Sequence, residues 1–406
     1  MKKKENINRQ QVVIDFIRDN YLIADRLRHD LISNKVQLRS AQGIWTDITT
    51  ADINDIVCNV SLESGLSFAS REILAVLQSH FIPSVNPLRD YINACTPHDP
   101  KQPNWIAWLA KQVVVEGDEK QQRIWCECFT KWFVAMVASW LFDDVVNQQV
   151  LVLIGKQGIF KTTWLERLIP PQLRAYQCKM ANTTQLNKDE RLRIAEYALI
   201  ALDEIDAMGP RELNVFKSLI TASDIAERAA YGYTKERRIR LASFCASGNK
   251  KEFLTDITGN RRWLPFNVIS IQNPFCTSLP YDRIYAYAKY LIDNNFQYWF
   301  DLEDINLLES HNDDFRTQDN EEQLLAVYFD LPAEGNGKFM TTAEISDKLI
   351  SYGNIKKPLP INQLGMLLRR AGFQPKVVGK HKTRGWIVRE KTGEEVNANR
   401  NIEGRT

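Results

Sequence analysis

The segment GKQGIFKTT at residues 155–163 constrains the fold of this 406-residue chain more than any other part of the sequence. It follows an apolar run at 150–154 and leads into 164–168, which predicts the order strand, glycine loop, helix. The segment fits the Walker A pattern G-x-x-x-x-G-K-[ST] at every fixed position except one, where Phe160 replaces glycine. The pattern predicts binding of a nucleoside triphosphate, and the replacement brings the rate of its hydrolysis into question.

Each position of this loop has a separate chemical task. Gly155 and Gly158 let the backbone turn tightly, so that loop N–H groups surround the phosphates. Lys161 supplies a positive charge, and the hydroxyl of Thr162 is a ligand for Mg²⁺. The alternative is an ordinary glycine turn between a strand and a helix. The predicted nucleotide-binding residues are Gly155, Lys156, Gln157, Gly158, Ile159, Phe160, Lys161, Thr162 and Thr163.

Two further apolar runs end in polar residues that suit phosphate chemistry. Residues 198–202 read as a buried strand followed by Asp203, which would ligate Mg²⁺, and Glu204, which would polarise the attacking water. Residues 241–247 read as another strand, after which Asn249 would sense the terminal phosphate. The alternative at both places is a plain polar turn.

A glycine turn downstream carries two adjacent arginines, Arg261 and Arg262. A guanidinium on such a turn suits contact with a phosphate, and in ring ATPases it acts across a subunit boundary. A solvated basic turn is the alternative.

In their order and spacing, these motifs resemble the virulence-associated E family of P-loop proteins, which look like superfamily 3 helicases of phages, plasmids and other mobile elements. The resemblance covers roughly residues 80–270. It includes the segments 86–91, 155–162, 202–204, 228–232, 248–249 and 259–263. It implies roles for Lys161, Asp203, Glu204, Asn249 and one of Arg261 and Arg262 in ATP hydrolysis, with Mg²⁺ on Thr162 and Asp203. The family usually has glycine at position 160.

The resemblance also implies a homo-hexamer that threads one DNA strand past a hairpin, which lies between the Walker B residues Asp203 and Glu204 and the strand 241–247 that precedes Asn249. The corresponding stretch is 231–240, where Tyr231 and Tyr233 are followed by Lys235, Arg237 and Arg238. Cations meet phosphates and rings stack on bases, so we expect single-stranded DNA to bind here. A solvated basic hairpin is the alternative.

The C-terminal part predicts helices at 341–350 and 362–371, followed by strands at 376–378 and 385–388. Helix, helix, hairpin is the order of a winged-helix domain, which binds double-stranded DNA or proteins. The basic residues clustered here are Arg369, Arg370, Lys376, Lys380, Lys382 and Arg384.

The predicted fold class is therefore α/β: a P-loop, AAA+-like ATPase core with a parallel sheet, a helical N-terminal region and a C-terminal winged-helix domain. The predicted division is 1–85 helical region, 86–308 ATPase, 309–322 acidic linker, 323–391 winged helix and 392–406 polar tail. The role of the N-terminal region stays open between DNA binding, ring assembly and packing.

The composition places limits on partners and location. A net charge of +2 means that any nucleic-acid surface is local. Residues 124–142 read as a buried amphipathic helix rather than a membrane span, and no apolar leader follows the first five residues. Seven scattered cysteines favour reduced thiols and predict no zinc site. We expect a bacterial cytoplasmic location and no membrane partner.

The sequence thus favours an ATP-dependent DNA helicase or translocase that replicates a phage or mobile genetic element, with a separate primase if priming is needed. An ATP-switched DNA-binding initiator or regulator with little turnover is the main alternative. An ATPase unrelated to nucleic acid also stays open.

Overall fold

A computed structural model describes residues 8–180, 188–227, 236–254, 260–317, 320–333, 336–353, 355–356, 358–379 and 382–396. The chain divides into two compact units. The first comprises Met1–Lys251 and Arg262–Leu308, and the second comprises Glu252–Arg261 and Glu309–Thr406.

The α-helices of these described residues are α1 Arg9–Ile17, α2 Thr50–Ser64, α3 Ser70–Leu77, α4 Pro87–Ala94, α5 Trp105–Ala110, α6 Glu119–Leu141, α7 Lys161–Glu166, α8 Lys188–Glu196, α9 Pro210–Thr221, α10 Tyr281–Asp293, α11 Leu302–Asn312, α12 Asn320–Tyr328, α13 Thr342–Gly353 and α14 Ile361–Arg370.

The strands are β1 Leu27–Asp30, β2 Lys35–Arg39, β3 Trp45–Asp47, β4 Ser84–Val85, β5 Val113–Val115, β6 Val150–Gly155, β7 Gln177–Met180, β8 Leu199–Leu202, β9 Asp224–Glu227, β10 Glu236–Ile239, β11 Ser243–Gly248, β12 Trp263–Ile271, β13 Phe329–Asp330, β14 Lys338–Met340, β15 Pro375–Val378 and β16 Thr383–Glu390.

The N-terminal region, predicted to be helical, combines α1–α3 with a sheet of order β3-β2-β1-β4. The prediction is therefore wrong for 27–30, 35–39 and 45–47, which are strands. Leu27 and Val36 face the same apolar core as the helices, while their strand neighbours face away from it. β1 and β3 are too short to alternate clearly, and the alternation in β2 spans only five residues, near the lower limit of a strand signal.

A six-stranded sheet of order β5-β12-β6-β11-β8-β7 forms the centre of the first unit. β5 is antiparallel to β12, and the other neighbouring strands are parallel, which confirms the predicted parallel sheet. The strands predicted at 150–154, 198–202 and 241–247 are confirmed as β6, β8 and β11. Every residue of these three strands is buried, because helices cover both faces of a parallel sheet.

The helix α6 packs against this sheet through large aromatic side chains. Trp125 lies 5.0 Å from Phe266 of β12, and Phe129 lies 5.3 Å from Trp164 of α7, measured between ring centroids. The buried helix predicted for residues 124–142 is thereby confirmed. Among the helices that the structure describes, none combines the length and the apolar character that crossing a bilayer would require.

The register of the sheet brings the predicted site residues together at the carboxyl ends of its central strands. β6 and β11 pair Ile154 with Gly248, and β11 and β8 pair Ala246 with Leu202. The residues that follow these strands therefore emerge together at their carboxyl ends. In open α/β sheets, ligands bind outside the carboxyl ends of the strands, at the point in the sheet where the order of the strands reverses.

The second unit contains the helices and strands predicted for the C-terminal part. The helices predicted at 341–350 and 362–371 are confirmed as α13 and α14, and the two predicted strands as β15 and β16. β16 pairs with β13, β14 and β15 and covers a core that includes Leu349, Leu368 and Trp386. The segment predicted as an acidic linker, 309–322, is largely helical: it holds the end of α11, a 3₁₀ turn and the start of α12.

Candidate functional site

The loop between β6 and α7 has a backbone that side chains tolerate poorly. Gly155 has a φ of 150° and Gly158 a φ of 87°. A Cβ atom on Gly155 would lie 2.4 Å from the carbonyl oxygen of Val268, so only glycine fits there. The glycines therefore do what the loop pattern requires: they let the chain turn back toward the start of the helix.

Phe160 adopts a glycine-like backbone although it carries a side chain. Its φ is 68° and its ψ is 19°, in the left-handed region, which costs an L-residue roughly 1–2 kcal/mol. Its ring is perpendicular to the ring of Phe275, with 6.2 Å between centroids. The loop therefore keeps the conformation that the pattern's glycine provides, with an aromatic ring added.

Lys161 lies inside the loop with only 7% of its surface exposed. Its ammonium group donates to the carbonyl oxygens of Gly155 at 2.6 Å and Lys156 at 2.7 Å, and to Oδ1 of Asn249 at 3.3 Å. Burial lowers the pKa of Lys161, an effect that the carboxylates of Asp206 and Asp203 oppose. The predicted loop lysine and the predicted sensor are thus in contact.

Three oxygen-bearing side chains meet beside this lysine. Thr162 Oγ1 donates to Asp203 Oδ1 at 3.2 Å, and Ser247 Oγ donates to the same oxygen at 2.6 Å. The hydroxyls of Thr162 and Ser247 are 3.0 Å apart. The structure therefore brings together Thr162 and Asp203, the pair predicted to bind Mg²⁺, and adds Ser247, which the sequence reading passed over as part of a buried strand.

The oxygen set fits Mg²⁺, which is bound in nucleotide sites through one or two carboxylates and the substrate's phosphates. The described residues contain no group of three or more His, Cys, Asp or Glu side chains that would hold a metal by itself. A single carboxylate with a neighbouring hydroxyl therefore suits a metal that arrives with a phosphate ligand rather than a permanently held one.

Two acidic residues follow Asp203. Glu204 is exposed and has a φ of 54°, a conformation that is uncommon for a residue with a side chain and is concentrated at functional sites. Asp206 Oδ2 accepts the backbone N–H of Lys250 at 3.1 Å. A Cβ atom on Gly248 would lie 2.7 Å from Asp206 Oδ1, so a larger residue there would displace that carboxylate. Asp206, another residue that sequence reasoning missed, thus fixes the turn that carries Asn249.

The predicted arginine Arg262 is not brought to this loop. Arg262 directly precedes β12, whose first residue, Trp263, pairs with Val150 at the amino end of β6. The length of β6 separates that end from Gly155 by roughly 16 Å. Arg261 is exposed and belongs to the second unit.

Residues 105–317 match the virulence-associated protein E-like domain, which is just over half of the chain. The chain belongs to this family. The matched range of the virulence-associated protein E-like domain contains the glycine loop, Asp203, Asn249 and both arginines.

Two solved structures are similar to the chain at low identity. Both are of the NrS-1 C-terminal region: its A-form apo structure has 11% identity and a TM-score of 0.45, covering 93% of this chain and 99% of that one. Another apo structure of the region has 11% identity and a TM-score of 0.46, covering 94% and 100%. None of the curated proteins matches the chain.

Within the virulence-associated protein E-like domain, β9 and β10 form the predicted basic hairpin. Lys235 lies outside the described residues. The Arg237 backbone pairs with Ala226. Arg238 donates to Glu196 at 2.6 Å and to the carbonyl oxygen of Ile32 at 2.5 Å, and its side chain is 14% exposed. This arginine is therefore held by the protein rather than presented to solvent.

A buried arginine anchors the base of the same hairpin. Arg240 is 1% exposed and donates to the carbonyl oxygens of Ile220, Ala222, Ala242 and Asn147. Burial lowers its pKa to about 9. Its contacts join the hairpin to the end of α9 and to the chain before β6, a role that no sequence pattern indicates.

Outside the family domain, the basic residues of the second unit differ in exposure. Arg369, Lys382 and Arg384 are exposed, whereas Arg370 forms an ion pair with Asp313 and has its pKa lowered by burial. Lys380 lies outside the described residues. The exposed cations are on α14 and on the β15–β16 hairpin, which are the two elements predicted to contact DNA.

Proposed function

We propose that this protein is a Mg²⁺-dependent ATPase with a P-loop, AAA+-like core that translocates on single-stranded DNA during replication of a phage or mobile genetic element. The observation that carries the proposal is the contact network around the glycine loop, in which Lys161 meets Asn249 and Thr162 meets Asp203. Membership of the virulence-associated protein E-like family supports it.

The loop residues would divide the work of hydrolysis between them. Lys161 would exchange its contacts with the Gly155 and Lys156 carbonyls for oxygens of the β- and γ-phosphates. Thr162 and Asp203 would hold Mg²⁺, which neutralises charge on those phosphates when bound. Glu204 would orient the attacking water, and Asn249 would register the γ-phosphate.

The distance between the arginine turn and the loop supports a multi-subunit enzyme. Arg262 lies near the amino end of β6, whereas Gly155 is at the carboxyl end of the same strand. If Arg262 acts on the phosphates, it therefore acts on the ATP of a neighbouring copy, as in a homo-hexamer; Arg261 is the other residue that would fill this role. A guanidinium supplied across a subunit boundary stabilises charge that develops in the transition state.

The hairpin and the second unit would provide the DNA contacts. Lys235 and Arg237 would touch the threaded single strand, while Arg238 and Arg240 hold the hairpin in place. The second unit would act as a winged helix on double-stranded DNA, with α14 in the major groove and Lys380, Lys382 and Arg384 on phosphates. Arg369 would contact DNA from the end of α14. The reaction would take place in the bacterial cytoplasm, with primers supplied by a separate primase.

A second candidate is an ATP-switched DNA-binding initiator or regulator with little turnover. The left-handed backbone of Phe160 favours it, since a bulky residue stands where fast P-loop enzymes have glycine. An ATPase without a nucleic-acid partner is disfavoured by the exposed cations of the second unit.

Strand displacement separates these functions. A labelled forked DNA duplex is incubated with the full chain and ATP, and in parallel with a non-hydrolysable ATP analogue. If the protein is a helicase, the strands should separate with ATP and not with the analogue. Nucleotide-dependent DNA binding that is equal with ATP and the analogue, without separation, would favour the switch and contradict the helicase.

A further inference from the structure

A cavity of about 890 Å³ adjoins the glycine loop in the first unit. Its walls include Thr163 and Glu166 of α7, Gln177 and Lys179 of β7, and the segment 274–278. Thr163 directly follows Thr162, whose hydroxyl contacts Asp203. A ligand held by its phosphates at the loop would therefore extend into this cavity, whose volume is within the usual range for small-molecule sites.

We propose that this cavity receives the base and ribose of the bound nucleotide, and that Phe160 and Phe275 supply the aromatic surface on which the base stacks. The proposal rests on the proposed nucleotide binding and adds the recognition of the nucleoside. It also gives Phe160 a purpose that a glycine at the same position would not serve.

The exposure of Phe275 is the first argument for stacking. Phe275 lines the cavity and is 79% exposed, so most of its ring surface is accessible to a ligand. Its ring meets that of Phe160 at an interplanar angle of 81°, and the two rings are therefore in contact without stacking face to face. A base has an apolar face of matching size, and stacking of bases on aromatic side chains is independent of base sequence.

The cavity wall carries one carboxylate, Glu166, and three cations, Arg167, Arg174 and Lys179, and two of these cations are already engaged by the protein. Lys179 is neutralised by Glu166, with 2.5 Å between the ammonium and the carboxylate. Arg167 is held by the carbonyl oxygen of Thr277 at 2.6 Å. Gln177 also lines the wall, and its buried Nε2 has no hydrogen-bond partner among the described residues. A base offers the acceptor atoms that such an amide needs.

Affinity for two probes tests the proposal: Mg²⁺-ATP and Mg²⁺-tripolyphosphate, which has the same phosphate chain without a nucleoside. We expect the wild type to bind Mg²⁺-ATP more tightly than Mg²⁺-tripolyphosphate. Phe275→Ala should lower the affinity for Mg²⁺-ATP roughly tenfold, which is the effect of losing one base–aromatic stack. Binding of tripolyphosphate should stay unchanged. Phe275→Tyr should keep the ATP affinity, and Trp299→Ala, which removes another exposed ring outside the cavity, should change neither probe.

The outcomes separate the two proposals. If the wild type binds neither probe, nucleotide binding itself is wrong. If it binds both equally, or if Phe275→Ala binds ATP as tightly as the wild type, the phosphate site stands and the base site is wrong.

A native cysteine gives a second measurement without a mutation. Cys276 is exposed and lines the cavity, whereas Cys58 is exposed in the N-terminal region. Alkylation by iodoacetamide, followed by mass spectrometry, should be slowed at Cys276 by Mg²⁺-ATP and unaffected by Mg²⁺-tripolyphosphate. Cys58 should react at the same rate throughout. Equal protection of Cys276 by both probes, or by neither, would overturn the base site.

Discussion

Ser247 Oγ donates a hydrogen bond of 2.6 Å to Asp203 Oδ1, and so connects the end of β11 to the acidic end of β8. The same hydroxyl is 3.0 Å from that of Thr162. Ser247 therefore orients both side chains proposed to hold Mg²⁺, and it is itself buried, with 3% of its surface exposed. Groups that orient metal ligands tune the affinity for the metal.

Replacing Ser247 with alanine should raise the Mg²⁺ concentration needed for half-maximal ATP hydrolysis by about tenfold or more, because Asp203 loses its orienting donor. A magnesium titration of the ATPase rate measures this. Ser243→Ala is the matched control, since Ser243 is a buried serine on the same strand that instead bonds Asn147. An unchanged magnesium requirement in Ser247→Ala, or an equal rise in the control, would contradict the assigned role.

Gly248→Ala should destabilise the fold by roughly 1–3 kcal/mol, because the new Cβ would meet Asp206 Oδ1 at 2.7 Å and Ile154 Cδ1 at 2.8 Å. Denaturant unfolding measures the loss. In an Asp206→Ala background the same substitution should cost less, since one obstacle is gone. An equal cost in both backgrounds would show that Asp206 does not confine this glycine.

Phe160→Gly should be more stable than Phe160→Ala by about 1 kcal/mol, since both lose the ring but only alanine keeps a side chain at a φ of 68°. The free energies of unfolding of the two variants provide the comparison. An alanine variant as stable as the glycine variant would mean that the loop does not hold residue 160 in the left-handed conformation in solution.

The thiol of Cys178 should be slow to react at neutral pH. Burial raises its pKa to about 11, an effect that Arg193 partly opposes. Because only the thiolate reacts, its alkylation rate should rise about tenfold per pH unit between pH 8 and pH 10. A free cysteine peptide, with a pKa of about 8.5, should level off above pH 9. A Cys178 rate that levels off with the peptide would contradict the burial.

The sequence predicts the strands, the glycine loop and the polar residues after each strand, because phosphate chemistry demands particular residue types at fixed spacing. It does not reveal Ser247 or Asp206. Their roles arise only when two parallel strands, β8 and β11, place residues 44 positions apart within hydrogen-bond distance. A serine inside a buried run and an aspartate in an acidic turn have no distinctive pattern of their own.

For two basic residues the sequence predicts a DNA contact where the structure has a contact within the protein. Arg238 and Arg370 lie in segments of the sequence that are rich in Lys and Arg, and such segments predict DNA contact. The structure gives them protein partners, Glu196 and Asp313. The N-terminal strands were missed for another reason: each is too short to show a clear periodicity, and pairing between them makes the sheet.

The ATPase rate of the full chain with and without single-stranded DNA, beside Lys161→Ala, tests the central claim most directly. The variant removes the only side chain that joins the loop carbonyls to Asn249 in the described structure. We predict Mg²⁺-dependent hydrolysis that DNA stimulates in the wild type and that falls by at least about a hundredfold in the variant. Equal rates in the two proteins would show that the glycine loop is not the site of hydrolysis, and the account would be wrong.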